Sequence, residues 1–339
     1  MTYEAPLCDD TPVWDVLLSA YRMPALAAAD LLNLFEALHE CPASAGELAA
    51  RTGLAAEALK ALLPMLSALG FLVPRLGRYR LTLAARTYLL HDSPHYWGHV
   101  FTRSRLDPVT QAIVDKLKGT ATVDPSLPNP GDQWEAGSVS TEMAATVARF
   151  VHSHSLPAAI GCAREGDFAG VRRLLDVGGG SGVFAIAIAQ AHPGLNATVM
   201  ELPTMCARAQ DYIADEGMTD RIDTVSVDMF RAAWPRGYDA IFLSNIFHDW
   251  SMETNRRLAA SAFAALPSGG RIYLHEMLMN DEGSGPLHAA AFSIMMLFGT
   301  RGRQYSLAEL KAILEGAGFT GVTAAATYGY YSLVSARKP

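Results

Sequence analysis

The chain has 339 residues, half of them hydrophobic and 18% charged, with a formal net charge of −7 and a pI of 5.8. This length predicts two domains, or one domain with a large accessory region, and the composition excludes a disordered or fibrous protein. The acidic balance argues against nucleic acid or anionic lipid as a partner, because the chain as a whole lacks a cationic field to bind phosphates.

The four cysteines are far apart and match neither a disulfide framework nor a zinc-ligand spacing, so we expect a reducing compartment and no metal site. The acidic N-terminal segment shows no secretory signal, and no apolar stretch reaches the ~20 residues that span a bilayer. These features predict a cytoplasmic protein with no membrane partner.

The N-terminal region is predicted to be mainly helical. Dense apolar residues at helical spacing predict one buried helix over residues 13–38, with a second subunit as one way to bury it. A capping box at Ser44–Glu47 opens a short helix, and a second helix is predicted over residues 55–69. Two short strands around a turn at Gly77 complete a winged-helix-like unit. Its second helix carries one lysine and no arginine, asparagine or glutamine, so DNA binding is not expected.

Residues 91–166 are predicted to be a connector with helices of its own around a proline-rich loop at 120–131. After Val171, short apolar runs alternate with helical segments, a pattern that specifies a mostly parallel sheet with helices on both faces. The candidate strands are Arg173–Val177, Ala197–Met200, Thr224–Val227, Ala240–Ser244 and Arg271–His275.

Three successive candidate strands end in signals for a cofactor. The first runs into a glycine-rich turn that contains Asp176 and precedes an apolar helix, so the backbone and the helix N-terminus can approach a ligand. The second ends in Glu201, where a doubly wound nucleotide fold places a carboxylate on ribose hydroxyls; a capping or solvated glutamate is the alternative. The third is followed by Asp228-Met-Phe230, which suits adenine. Together they predict one crevice.

The chain also contains Leu-Asp-Val-Gly-Gly-Gly-Ser-Gly, Glu-Leu-Pro, Asp-Met-Phe, Asn-Ile-Phe-His-Asp-Trp and Pro-Ser-Gly-Gly-Arg-Ile, in this order. With these motifs it resembles the plant-type (class II) S-adenosylmethionine-dependent O-methyltransferase family, which has bacterial members. The resemblance covers nearly the whole chain. It implies a homodimeric α/β enzyme that converts S-adenosylmethionine (SAM) to S-adenosylhomocysteine (SAH) while methylating a small molecule.

The same resemblance implies three segments: a winged-helix-like dimerisation domain at residues 1–100, connecting helices that line the acceptor site at 101–165, and a Rossmann-like SAM-binding domain at 166–339. It places Gly178 near the methionine part of the cofactor, Glu201 on the ribose, and Asp228 and Met229 at the adenine beside Trp250. The full predicted cofactor set is Asp176, Gly178, Gly180, Glu201, Leu202, Asp228, Met229, Phe230, Ser244 and Trp250.

His248 corresponds to the family's general base. A base speeds attack of a hydroxyl on a sulfonium methyl, and imidazole suits this task near neutral pH; a histidine that only packs or caps is the alternative. Glu276 fits the first of two acidic residues that flank this histidine in the family. The second position falls at Gln304, which is not a carboxylate.

That departure leaves an S-methyltransferase open as an alternative, because a thioether sulfur attacks without losing a proton. Arg301 and Arg303 could then hold the carboxylate of an acceptor such as 4-methylthio-2-hydroxybutyrate, used in dimethylsulfoniopropionate synthesis, although solvated arginines are the plainer interpretation. A second alternative is a winged-helix regulator that only senses SAM.

His152 and His154 lie two residues apart on a predicted helix, so they point about 200° away from each other and cannot share a metal. We expect one of them to touch substrate. The predicted substrate-binding residues are His152, His154, Asp249, Ile294, Met295, Arg301, Arg303 and Gln304.

Overall fold

A computed structural model gives the fold and describes residues 2–120 and 130–339. Most of the predicted proline-rich loop, residues 121–129, lies outside the described residues. Up to residue 120 the elements are α1 (Thr11–Ser19), α2 (Arg22–Leu31), α3 (Leu34–Glu40), α4 (Ala45–Thr52), α5 (Ala56–Ala68), β1 (Leu72–Arg75), β2 (Arg78–Leu81), α6 (Leu83–Tyr88), 3₁₀ turns at Gly98–Thr102 and Ser104–Leu106, and α7 (Pro108–Lys118).

The elements from residue 130 onward alternate between helix and strand as far as β7. They are α8 (Pro130–Ala136), α9 (Thr141–Glu165), β3 (Arg173–Val177), α10 (Val183–Ala191), β4 (Asn196–Glu201), α11 (Pro203–Asp215), β5 (Ile222–Ser226), β6 (Ala240–Ser244), a 3₁₀ turn at Phe247–Asp249, α12 (Met252–Ala265), β7 (Arg271–Met277), α13 (Leu287–Gly299), α14 (Leu307–Gly316), β8 (Thr320–Tyr328) and β9 (Tyr331–Arg337).

The N-terminal region differs from its prediction in one respect and confirms the rest. The single helix predicted over residues 13–38 is wrong: three helices occupy this stretch, and the second break falls at Asn33, whose φ of 53° is left-handed and stops a right-handed helix. The capping box is confirmed, since the Ser44 hydroxyl accepts from Glu47 N at 3.3 Å and the Glu47 carboxylate accepts from Ser44 N at 2.8 Å. The antiparallel β1–β2 pair is confirmed as well.

The chain divides into two compact units. The first, the sheet unit, comprises Met1–Thr11, Pro130–Met277 and Leu307–Pro339. The second, the helical unit, comprises Pro12–Asn129 and Leu278–Ser306. Within the helical unit α13 packs against α5, because α13 is apolar on almost every face and is buried among the N-terminal helices. The division into residues 1–100, 101–165 and 166–339 stays a prediction.

The sheet unit is built on seven strands in the order β5-β4-β3-β6-β7-β9-β8. The first five are parallel, and all five predicted strands are confirmed. β9 runs antiparallel to β7, and β8 antiparallel to β9. The strand order reverses between β3 and β6, so the carboxyl ends of these two strands open into a crevice of the kind that binds ligands in doubly wound folds. In the described ranges, no helix has both the length and the apolar character needed to cross a membrane.

Candidate active site

The glycine-rich turn joins β3 to α10 and lies at this reversal. Gly178, Gly180 and Gly182 all have positive φ, between 60° and 77°, a conformation that side-chain-bearing residues rarely adopt. A Cβ atom on Gly178 would also lie 2.5 Å from Ile246 Cδ1, so a side chain at this position would have to displace Ile246. The turn therefore presents bare backbone at the crevice, as the sequence predicts.

Two buried carboxyl groups stand beside this turn. Glu201 accepts hydrogen bonds from Leu202 N at 2.8 Å and from Gly180 N at 3.2 Å. Burial raises the pKa of Glu201 to about 7, although these two N–H groups oppose the shift. Burial likewise raises the pKa of Asp176 to about 7, and the charge of Glu201 adds to it. Asp176 Oδ2 has no hydrogen-bond partner within the described part of the chain, which leaves it able to bind a ligand.

An aromatic corner follows β5. Asp228 accepts a hydrogen bond from Phe230 N at 2.8 Å, and Met229 O accepts one from Trp234 Nε1 at 3.0 Å. These bonds fix the backbone of the Asp-Met-Phe motif. The Phe230 ring meets the buried Trp250 ring edge to face, with centroids 4.7 Å apart. Phe230 and Trp250 both belong to the predicted cofactor set. The structure thus brings together two of its aromatic residues that are 20 positions apart in the sequence.

His248 lies in the 3₁₀ turn after β6 and is almost completely buried. Its Nδ1 is 2.8 Å from Glu276 Oε2, and its Nε2 is 3.5 Å from Asp249 Oδ1. Burial alone would lower the pKa of His248, but the two carboxylates outweigh it and raise the pKa above its ordinary value. Burial raises the pKa of Asp249 to about 6, while the charge of His248 opposes that shift. His248 is therefore an oriented imidazole in a charged, buried setting.

The backbone around His248 is held by two further bonds. Glu276 Oε1 accepts from Phe247 N at 3.0 Å, so one carboxylate contacts both the imidazole and the turn that carries it. Asn255, fully buried on α12, donates to Phe247 O at 2.7 Å. Asn255 is a residue that the sequence analysis missed, and its position inside an ordinary amphipathic helix gives no local signal.

Ser244 and the neighbouring His275 form a separate polar pair. The Ser244 hydroxyl lies 3.2 Å from His275 Nδ1, and Thr327 Oγ1 lies 3.0 Å from Nε2 of the same ring. Burial lowers the pKa of His275 to about 3, so this imidazole is neutral at physiological pH. The ring stacks on Tyr331 at 4.8 Å. The assignment of Ser244 to the cofactor stays a prediction, and its hydroxyl already has a protein partner.

The two histidines of α9 point to different parts of the sheet unit. His152 Nδ1 is 3.1 Å from the hydroxyl of Ser181, in the glycine-rich turn. His154 Nδ1 contacts Phe150 O at 2.8 Å, and the charge of His248 adds to the burial that lowers the pKa of His154. No group of three or more His, Cys, Asp or Glu residues suited to a metal ion occurs among the residues described.

The remaining predicted substrate residues belong to the helical unit. Ile294 on α13 is fully buried, and Met295 beside it is half-buried. Gln304 is also buried, and its backbone N–H donates to Ser293 Oγ at 3.1 Å. Arg303 donates to Gln304 O at 3.0 Å, with its guanidinium 4.5 Å from the ring centroid of Tyr305, whereas Arg301 is exposed.

Comparison with known proteins gives a consistent result. A sequence model of the O-methyltransferase domain matches residues 126–320, and one of the O-methyltransferase dimerisation domain matches residues 14–91. The chain is 39% identical to 3-hydroxy-5-methyl-1-naphthoate 3-O-methyltransferase of Streptomyces sahachiroi, over 92% of this chain and 90% of that protein. It is 31% identical to L-tyrosine C(3)-methyltransferase of Streptomyces lavendulae, over 95% and 90%.

A solved structure is also similar over the full length. The O-methyltransferase family 2 protein from Planctomyces limnophilus, crystallised in complex with apigenin, superimposes with a TM-score of 0.88 at 29% identity. The match covers 100% of both chains.

Proposed function

We propose that the acceptor is a phenolic hydroxyl and that His248 is the general base. The chain belongs to the O-methyltransferase family and is a SAM-dependent methyltransferase. The observation that carries the proposal is the buried contact between His248 Nδ1 and Glu276 Oε2 at 2.8 Å. A neutral imidazole that is oriented by a carboxylate in this way can remove a proton, a step that a hydroxyl acceptor needs.

The sheet unit fits SAM as its cofactor. The side-chain-free turn at Gly178, the unpartnered Asp176 Oδ2 and the buried Glu201 carboxylate supply close backbone approach and hydrogen-bond acceptors at one crevice. Phe230 and Trp250 offer an apolar corner for an adenine ring. When bound, SAM supplies an electrophilic methyl group on a sulfonium sulfur. The residues that would hold it are the predicted cofactor set.

The chemistry assigned to the chain itself is proton removal and placement. Glu276 contacts Nδ1 of His248, and we assign Nε2, which lies 3.5 Å from Asp249 Oδ1, as the nitrogen that faces the acceptor. Nε2 takes the hydroxyl proton as the acceptor oxygen forms its bond to the methyl carbon, and the carbon–sulfur bond breaks in line with it. The Glu276 carboxylate stabilises the imidazolium that results, as a triad aspartate does for its histidine.

The names of the relatives support a small aromatic acceptor. One methylates a hydroxyl of a naphthoate, one methylates C(3) of tyrosine, and one binds apigenin. Proton removal from a phenol activates both its oxygen and the ring carbon ortho to the hydroxyl, so the same base would serve either product. The buried His248 does not select between them, but the most similar of these three relatives by sequence is an O-methyltransferase.

A methyl-transfer screen tests the acceptor class. The enzyme would be incubated with methyl-labelled SAM and three acceptor pools: simple phenols, hydroxylated polyketide-like aromatics, and short thioether carboxylic acids. We expect label in an aromatic ether from the first or second pool. Label only in a sulfonium product would replace this proposal with the S-methyltransferase alternative, which requires carboxylate binding by residues such as Arg301 and Arg303.

Cofactor binding should depend on pH through Glu201. A carboxyl with a pKa of about 7 is largely protonated at pH 6, whereas two ribose hydroxyls are best accepted by the ionised form. Loss of the proton on binding means that SAH affinity rises with pH, by up to about tenfold per unit below the pKa. Calorimetric titration of wild type and Glu201→Gln with SAH at pH 6 and 8 measures this change in affinity. We expect the variant to bind more weakly at pH 8 and to lose much of the pH dependence; an unchanged pH dependence would remove Glu201 from the site.

We further propose a homodimer formed through the N-terminal helices. The dimerisation-domain match covers residues 14–91, and four apolar side chains on α1 and α2 are exposed in one chain: Val13, Val16, Leu17 and Met23. Light scattering on the purified protein should give twice the chain mass, and Val16→Lys together with Met23→Lys should reduce it to one chain mass. A wild-type monomer at micromolar concentration would contradict the proposal.

The cytoplasmic location and the lack of a nucleic-acid partner stay predictions.

A further inference from the structure

Three aromatic side chains pack together beside the glycine-rich turn, and one of them, His152, contacts the serine of that turn. His152 Nδ1 lies 3.1 Å from Ser181 Oγ, and Ser181 is fully buried. The His152 ring stacks nearly parallel on Tyr212, with a centroid distance of 4.3 Å and an interplanar angle of 15°. The Tyr3 ring meets His152 edge to face at 6.4 Å. The imidazole is thus held on two sides and directed at the turn.

This cluster also reaches the second cofactor element. Tyr212 on α11 packs on the apolar cluster that includes Leu202 and Met205, and the N–H of Leu202 donates to the Glu201 carboxylate. His152 therefore connects the turn after β3 with the segment after β4. Val151, the residue before it, lies against Gly180, so this stretch of α9 follows the turn closely.

The N-terminal segment covers the outer side of the same cluster. Tyr3 is half-buried while its neighbours on both sides are exposed. Its backbone N–H donates to Gln190 Oε1 on α10 at 2.8 Å, and further along Tyr328 Oη donates to Cys8 O at 3.1 Å. Burial lowers the pKa of His152, so the ring contacts Ser181 as a neutral imidazole at physiological pH.

From this geometry we propose that His152 is a positioning residue for the cofactor: it holds Ser181, and through Tyr212 the Glu201–Leu202 segment, in the spacing that SAM binding requires. The contact that the structure shows for His152 is with the turn, at Ser181 Oγ. Its removal should therefore weaken SAM and SAH binding, while the Michaelis constant of the acceptor stays close to its wild-type value. The proposal rests on the placement of SAM at the glycine-rich turn.

Two substitutions separate the hydrogen bond from the packing. His152→Phe keeps a ring to stack on Tyr212 but cannot bond Ser181, whereas His152→Asn keeps a polar atom close to the position of Nδ1. We expect His152→Phe to raise the SAH dissociation constant and the SAM Michaelis constant about fivefold, the effect of one neutral hydrogen bond. His152→Asn should recover most of this loss. His39→Asn, at an exposed histidine of the helical unit, is the matched control.

A double-mutant cycle completes the test, because residues that act through one contact are not additive. Ser181→Ala and His152→Phe should each weaken SAH binding, and the double variant should be no weaker than the worse single variant. The proposal would be overturned if His152→Phe bound SAH as tightly as wild type. It would also be overturned if His152→Phe and His152→Asn lost equal SAH affinity and equal melting temperature. Glu201→Gln distinguishes a failure of this proposal from a failure of the proposed SAM site. If this variant binds SAH as tightly as wild type, the placement of SAM at the glycine-rich turn is itself wrong.

Discussion

Replacing His248 by asparagine is expected to lower kcat by about 10² to 10⁴ and to leave SAH binding unchanged. A positioned general base contributes a factor of this size, because without it the hydroxyl must attack while it still carries its proton. Asparagine cannot accept that proton, yet it keeps a polar group beside Glu276, from which His248 Nδ1 is 2.8 Å away. Steady-state turnover with a phenolic acceptor, and calorimetry with SAH, measure the two quantities.

The comparison with His39→Asn distinguishes a missing base from a general effect of replacing histidine, since His39 is exposed. Turnover in His248→Asn within a fewfold of wild type would show that no essential proton transfer passes through His248. The thioether alternative would then gain support, because a sulfur nucleophile has no proton to lose.

Replacing Glu276 by glutamine is expected to lower the plateau of kcat by about 100-fold and to move the acidic limb of the pH profile to lower pH. Glutamine keeps an oxygen that can accept from Phe247 N, a bond of 3.0 Å in the wild type, so the turn retains its anchor. It removes the negative charge 2.8 Å from His248 Nδ1. The imidazolium that forms during reaction then loses its counter-charge, which accounts for the slower turnover.

The direction of the pH shift follows from the same charge. In the wild type the carboxylates of Glu276 and Asp249 overcome burial and raise the pKa of His248 above its ordinary value. The base works only when neutral, so activity falls as pH drops below that raised pKa. Without the Glu276 charge, burial lowers the pKa of His248, and the acidic limb of the pH profile moves to lower pH with it. Glu282→Gln, at an exposed glutamate, is the matched control. A limb that stays in place while turnover falls would limit Glu276 to a structural role.

Much of the fold follows from the sequence because its signals are local. The capping box at Ser44, the apolar runs of β3 to β7 and the glycines of the cofactor turn each depend on a few adjacent residues. The two C-terminal strands, β8 and β9, and the helix break at Asn33 were not predicted. Four of the nine residues of the edge strand β8 are Gly or Ala, which have little strand preference, and the break at Asn33 depends on one left-handed residue inside an apolar stretch.

Residues of the candidate site could be predicted only where they lie in a sequence motif. The contact of His248 with Glu276 joins two residues that the family pattern names. The roles of His275 and Asn255 could not be predicted, because each depends on which side chains the sheet and α12 bring together. Likewise the spacing of His152 and His154 shows that they diverge, but only the structure shows that His152 is directed at Ser181.

We propose that His248 removes a proton from an aromatic hydroxyl that then receives the methyl group. The most direct test incubates wild type and His248→Asn with ¹³C-methyl SAM and the best phenolic acceptor from the screen, and locates the label by NMR. We expect an aryl methyl ether from wild type and at most about 1% of that rate from the variant. A labelled ether formed equally fast by both enzymes, or a sulfonium product as the only one, would contradict it.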